Sequence, residues 1–143
     1  MPVGDETPIP FIAEKQIRFH HCDPAGIVFF PQYFVLFNEV IEDWYTFGLD
    51  TSFVEQITKD RVSTPLAKVS CEFLAPSRIG EIIRMTLSVK SVGRTSVTLQ
   101  IEGSCDEEAR VRAELVAVNA SLETLRPLPF SDQVRDRIQR FIV

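Results

Sequence analysis

Between Pro31 and Gly48 the chain is apolar around most of a helical circumference. Tyr33, Leu36, Phe37, Val40, Ile41, Trp44 and Phe47 recur at helical spacing, and Phe34, Val35 and Tyr45 widen the face. Glu39, Glu42, Asp43 and Thr46 are left as one narrow polar strip. Pro31 suits a first helical turn, where its missing amide hydrogen would be unpaired anyway, and Gly48 supplies a stop. A helix of this kind cannot rest on a surface. The rest of the chain has to wrap it.

The wrapping is legible as strands. Phe11 to Phe19 alternates imperfectly and reads as a first strand. After a variable stretch from Asp50 to Thr64, Ala67-Val69-Cys71-Phe73, Met85-Leu87-Val89 and Val97-Leu99-Ile101 each alternate with polar neighbours. Val111 to Leu125 is less regular, with apolar residues on both parities between Leu115 and Val118, the pattern of a strand covered on both faces. Turn residues separate the strands at Pro76 to Gly80, at Gly93 and at Gly103 to Glu108. The tail from Ser131 to Ile142 is weakly amphipathic, with Val134, Ile138 and Phe141 on one side. The expected fold is α+β: one antiparallel sheet curled around one long buried helix.

A chain of 143 residues suits a single domain, expected over residues 11–143 behind a mobile arm at 1–10 that carries three prolines and no periodicity. The net charge of −5 argues against a nucleic-acid partner, which needs a basic face. No apolar run is long enough to span a membrane, and the acidic, proline-rich start is unlike a signal peptide. The expectation is a soluble, cytoplasmic protein with no membrane partner. Cys22, Cys71 and Cys105 are few and far apart, with no CxxC or Cys/His cluster, so neither a disulfide framework, a metal site nor a bound cofactor is expected.

Chemistry concentrates in His20-His21-Cys22-Asp23-Pro24-Ala25-Gly26-Ile27-Val28-Phe29-Phe30-Pro31-Gln32-Tyr33. Asp23 is an acid in an apolar segment, where desolvation is costly unless the group reacts or is hydrogen-bonded. It has two readings. As a catalyst it would attack an activated carbonyl or polarise a water, with backbone amides around Phe30 to Tyr33 at the positive helix end binding the carbonyl oxygen. As a turn residue it would cap its own loop, since Asp-Pro and Asp-x-x-Gly are common turn chemistry. His20 and His21, read as part of a strand, would point to opposite faces. Cys22 reads as a small semi-buried thiol rather than a nucleophile. Arg94, in Val92-Gly93-Arg94-Thr95-Ser96, is either a solvated turn arginine or a phosphate clamp. No G-x-S-x-G, G-x-G-x-x-G or P-loop motif is present.

The segment Asp23 to Tyr33 resembles the active-site segment of hotdog-fold thioesterases of the 4-hydroxybenzoyl-CoA thioesterase type. The resemblance continues through Ser63-Thr64-Pro65-Leu66, Val69 to Phe73, Arg78-Ile79-Gly80-Glu81 and Arg94-Thr95-Ser96, from about Glu14 to Leu125. It implies a hotdog fold, an acyl-CoA substrate, and Asp23 as the catalytic carboxylate, acting as nucleophile or general base. It implies that the Phe30 amide binds the thioester oxygen, and it sets Gly26, Tyr33, Asn38, Thr64 and Arg94 among the substrate-binding positions. Thr64 would reach the site from a neighbouring subunit, and Arg94 would contact the nucleotide end of coenzyme A. A homo-oligomer is implied, a dimer at minimum and commonly a tetramer. Two departures bear on specificity. Gly93 and Thr95 flank Arg94 where the family turn is more basic, and Asn38 stands where an acid reads the phenol hydroxyl, which argues against a 4-hydroxybenzoyl substrate. The leading expectation is hydrolysis of a short-chain or aromatic acyl-CoA. An acyl-carrier-protein thioesterase and a non-catalytic acyl-CoA binding module are the alternatives.

Overall fold

The computed structural model describes residues 10–143, so all of the arm expected at 1–10 except Pro10 lies outside the described residues. Pro31 does open the helix. α1 runs Pro31–Asp43 and continues into a wider turn, Trp44–Gly48, of π-helical hydrogen bonding. Tyr33, Leu36, Phe37, Val40, Ile41, Trp44 and Tyr45 are buried. The predicted polar strip has a use: Lys15 of β1 (Phe11–Gln16) meets Asp43 at 2.7 Å and Glu39 at 3.5 Å. Part of the expected apolar face stays uncovered within one chain, since Phe47 is 76% exposed.

What wraps α1 is a five-stranded antiparallel sheet in the order β1-β4-β5-β6-β3. Its strands are β3 (Leu66–Phe73), β4 (Ile82–Val92), β5 (Ser96–Cys105) and β6 (Glu108–Val118), added to β1. Register aligns the inward residues, Leu87 with Ile101 and Leu99 with Leu115, so each strand presents one apolar row to the helix. The variable stretch holds a short helix, α2 (Phe53–Thr58), and β2 (Val62–Ser63), which pairs with β7 (Ala120–Ser121). The tail forms α3 (Asp132–Gln139), capped by Ser131 Oγ accepting the Val134 N–H at 3.2 Å, and it buries Ile138. No helix among the described residues is long and apolar enough to cross a membrane.

Two local expectations are corrected. β1 ends at Gln16, and Phe19–His21 is a 3-10 turn, so the two histidines are not on opposite faces of a strand: His21 is buried, His20 exposed, and their rings lie 4.0 Å apart. Gly103 is not in a turn. It pairs with Met85 and Val111 inside the sheet, where an added Cβ would come within 2.9 Å of Val111 and 3.0 Å of Ile83. The β5–β6 reversal is made by Asp106 and Glu107, both at positive φ (50° and 66°), a hairpin geometry usually given to glycine. Finally, the outward residues Val116 and Val118 are only half-buried within one chain, so the second cover expected for that strand is not supplied by this chain itself.

One polar group sits deep in the sheet. Ala109 pairs with Ser104 and Val111 with Gly103, which leaves Arg110 as the extra residue of a bulge. Its side chain, 7% exposed, turns inward and holds the loop that precedes β4. Nη1 donates to Glu81 Oε1 at 2.7 Å and to Pro76 O at 3.1 Å, and Nη2 donates to Glu81 Oε2 at 3.1 Å. Glu81 also accepts the Arg78 N–H at 2.7 Å. These hydrogen bonds, Arg110 foremost, hold its carboxyl at about 2, against an ordinary 4.5.

A carboxyl depressed on folding stabilises the protein fully above its unfolded value, and the contribution is lost as pH falls through the folded value. The Glu81 contribution is therefore complete above pH 4.5 and disappears between there and about pH 2. Glu81→Gln removes the carboxylate that meets both Arg110 Nη atoms, leaves the exposed Glu108, 2.7 Å from Arg110 Nε, as its remaining acid, and should cost about 2 kcal/mol at pH 7, within the range for hydrogen bonds to charged groups. Denaturant unfolding of both proteins between pH 7 and pH 3 checks this: the gap between them should narrow as the wild type is acidified.

Candidate active site

Asp23 opens a tight loop. The Gly26 N–H donates to Asp23 O at 2.9 Å and the Asp23 N–H to Ile27 O at 3.0 Å, a turn that places Gly26 at φ +79°, where a side chain would be strained. The Asp23 carboxylate is half-buried, and its Oδ1 accepts the Ala25 N–H at 2.9 Å. The turn reading of Asp23 thus describes one of its oxygens. Oδ2 has no hydrogen-bond partner among the described residues, so capping and chemistry are compatible in one side chain.

The far limb of the loop delivers the helix start. A bridge between Cys22 and Val28, and the Phe29 N–H donating to His21 O at 2.9 Å, close the loop on itself. Phe30 is the N-cap of α1 and brings no side-chain cap. Of the amides expected to be available, Pro31 has none, Gln32 donates to Phe29 O at 2.8 Å, and Tyr33 donates to Phe30 O at 3.1 Å. Only the Phe30 N–H of this group has no acceptor among the described residues. The proline therefore singles out one amide at the positive end of the helix.

The Arg110-held loop supports this arrangement from behind. The Val28 N–H donates to Ser77 O at 2.9 Å, the Ile79 N–H to Gly26 O at 3.1 Å, and Ile27 bridges Arg78. Between the two loops lies a cavity of about 270 Å³, with Ile27, Val28, Phe30 and Tyr33 on one side and Phe73 to Ser77 on the other. Phe73 packs 5.9 Å, ring centre to ring centre, from both Phe30 and Tyr33. The lining side chains are aromatic and aliphatic except for Tyr33 and Ser77, whose hydroxyl oxygens lie 2.7 Å apart. Asp23 borders the loop but is not on the cavity wall.

The neighbouring nucleophile and base candidates are poorly placed for chemistry. Burial, then the Asp23 charge, pushes the Cys22 thiol above its ordinary value, and its Sγ contacts Arg18 O at 3.6 Å. His21 Nδ1 accepts the Arg18 N–H at 2.8 Å, and burial lowers the affinity of the ring for a proton. That histidine is a structural turn residue. Among the described residues, no group of three or more His, Cys, Asp or Glu could hold a metal ion.

One protomer brings together Asp23, Gly26, Phe30 and Tyr33, and leaves the other expected residues elsewhere. Asn38 is exposed on α1. Thr64 neighbours the buried Tyr45, without a well-formed hydrogen bond between them. From Phe30 to Tyr45 the helix rises about 20 Å, so Thr64 belongs to the opposite end of the molecule. Arg94 is exposed in the β4–β5 turn, where its carbonyl accepts the Phe130 N–H at 3.0 Å. A second cavity of about 340 Å³ opens at that end, between α2, Asn119 and Phe130. Arg110 and Ser77 are contributors that sequence reasoning missed. The only sequence signal for Arg110 was an unpaired acid, Glu81, in Arg78-Ile79-Gly80-Glu81.

The chain is similar to proteins of known activity. A 1,4-dihydroxy-2-naphthoyl-CoA hydrolase of Synechocystis is 25% identical over 121 residues, covering 83% of this chain and 87% of that one. The enzyme of the same name from Nostoc punctiforme is 23% identical, covering 83% and 81%. Among solved structures, a 1,4-dihydroxy-2-naphthoyl-CoA thioesterase from Synechocystis superposes with a TM-score of 0.81 at 23% identity, over 91% of this chain and 96% of that one. A gentisyl-coenzyme A thioesterase superposes at 0.83 and 22% identity, over 90% and 99%. These structures share the hotdog architecture, a curled antiparallel sheet around a central helix. The model of the thioesterase-like superfamily matches residues 17–138, most of the length of the chain, and the protein belongs to that superfamily.

Proposed function

We propose that the protein hydrolyses an aromatic acyl-CoA thioester to the free acid and coenzyme A. The observation that carries this reading is the lone Phe30 N–H at the start of α1, in a residue that lines an aromatic-walled cavity and follows a loop that presents a carboxylate with one unengaged oxygen. A thioester oxygen bound at that amide would be polarised by the helix end as negative charge develops on it. Asp23, with Oδ2 unengaged, either attacks the carbonyl carbon and expels the thiolate, giving an anhydride that water then hydrolyses to the free acid, or removes a proton from a water that attacks the carbonyl carbon directly. The thiolate leaves without an acid to assist it, which is why so small a set of groups suffices. The relatives act on flat, bicyclic or monocyclic aroyl thioesters by name, and the Phe30, Tyr33 and Phe73 rings favour an acyl group of that shape.

A complete site needs a second subunit in this reading. Thr64 and Arg94 lie at the end of the protomer remote from Phe30, so a partner supplies them. The edge strand β3 has a free edge and exposes Val69 and Phe73, which suits pairing with another copy. A dimer is the minimum, and a tetramer is the assembly the resemblance implies. Light scattering at assay concentration should show no active monomer.

Asp23→Asn keeps the Ala25 cap but loses the charge. It should remain folded and lose about 10²–10⁴-fold in kcat on an aroyl-CoA, the range for general acid–base catalysis. Cys22→Ala should retain near wild-type turnover. A steady-state assay of released thiol for the two variants decides the mechanism: an active Asp23→Asn or a dead Cys22→Ala protein would overturn it. Arg94→Ala should raise KM with little change in kcat, and the effect should shrink at high salt, as a surface arginine–phosphate contact requires.

A further inference from the structure

Two of the residues that line the cavity, Tyr33 and Ser77, hold between them a hydrogen-bond donor that the chain itself leaves unused. Ser77 Oγ lies 2.7 Å from the Tyr33 hydroxyl and 3.3 Å from Arg110 Nη1, and all three side chains are buried. A guanidinium can only donate, so Ser77 Oγ cannot give its hydrogen to Arg110 and at most shares an Nη1 hydrogen with the nearer Glu81 and Pro76 oxygens. Tyr33 and Ser77 then hold two hydroxyl hydrogens between them, and one of these joins their oxygens. Whichever hydroxyl donates, the other hydrogen has no acceptor among the described residues. An unmet donor is costly in a wall otherwise built from Ile27, Val28, Phe30, Phe73 and Leu74.

The cavity has room for more than a bare ring. Its volume is about 270 Å³, whereas an apolar cavity of roughly 150 Å³ is enough to take up benzene. Arg110 fixes Ser77 in place, and Tyr33 is fixed by its position on α1 one turn beyond Phe30, so the pair is rigid with respect to the amide proposed to hold the thioester oxygen. We propose that Tyr33 and Ser77 read an oxygen substituent on the ring of the aromatic acyl group, and so determine specificity. The inference rests on the thioesterase reading above. A ring hydroxyl accepts the spare hydrogen and donates in turn to a lone pair of the same two oxygens; a bare ring leaves the donor unmet. A site built to hydrogen-bond a substrate hydroxyl discriminates strongly against the analogue that lacks it.

The test compares kcat/KM for benzoyl-CoA with its 2-, 3- and 4-hydroxy isomers. At least one hydroxylated isomer should exceed benzoyl-CoA by about tenfold or more. Tyr33→Phe and Ser77→Ala each retain one free hydroxyl hydrogen and should each lower the ratio in part. The double variant has none and should bring the ratio close to one, with circular dichroism reporting that it is folded. If the double variant does not fold, the two single variants decide the assignment. Equal turnover of benzoyl-CoA and all three isomers would overturn the inference and leave thioester hydrolysis standing. A preference that survives undiminished in the variants would overturn the assignment to Tyr33 and Ser77. Hydrolysis of none of the four would overturn the proposed function as well.

Discussion

Burying α1 is the constraint from which the rest of the molecule follows. Seven large side chains from Tyr33 to Tyr45 leave water, each contributing about 1.5–3 kcal/mol, and no flat surface could cover them. A single curled sheet does so by giving each of its central strands one inward row, from Met85, Leu87 and Val89 through Leu99 and Ile101 to Leu115. The helix N-terminus then has to emerge at the end of the sheet, because the covering strands run past its sides. That places the Phe30 amide near β3, where its ring packs against Phe73.

The loop that carries Asp23 is held by polar contacts, in contrast to the core. Arg110 is turned inward by a bulge and ties Glu81, Pro76 and Ser77 together. Ser77 and Ile79 then hydrogen-bond the backbone on either side of Ile27. An ion pair with its guanidinium buried and its carboxylate partly exposed is weak evidence of stability for its own sake. Its position ties together the loop residues Pro76, Ser77 and Glu81, of which Pro76 and Ser77 line the cavity.

In the proposed mechanism the Asp23 carboxylate has two roles. Oδ1 is consumed by the turn that Pro24 and Gly26 make, which sets the orientation of the group. Oδ2 is left without a partner among the described residues. Capping and catalysis are often weighed as rivals for such an acid. Here the cap is what would aim the reactive oxygen, and the neighbouring thiol and imidazole, both shifted by burial toward their neutral forms, offer no competing chemistry.

Periodicity was enough to establish α1, its start at Pro31, the central strands and α3, because burial on one face imposes a repeat that can be read along the chain. The motif around Asp23 was likewise local, since a loop and the helix that follows it are contiguous. Other features depend on residues far apart in sequence. Gly103 looked like a turn residue, but the close approach of Val111 and Ile83 is what demands a glycine there, and Asp106-Glu107 makes the turn instead. Arg110 turns inward because a bulge, set by pairing across two strands, leaves it as the extra residue. Which single amide near Phe30 stays unpaired, and that Tyr33 meets Ser77 forty-four positions later in the chain, are facts of hydrogen-bond closure between loops. Patterning specifies what must be buried; only the folded chain decides which polar groups are left over to do chemistry.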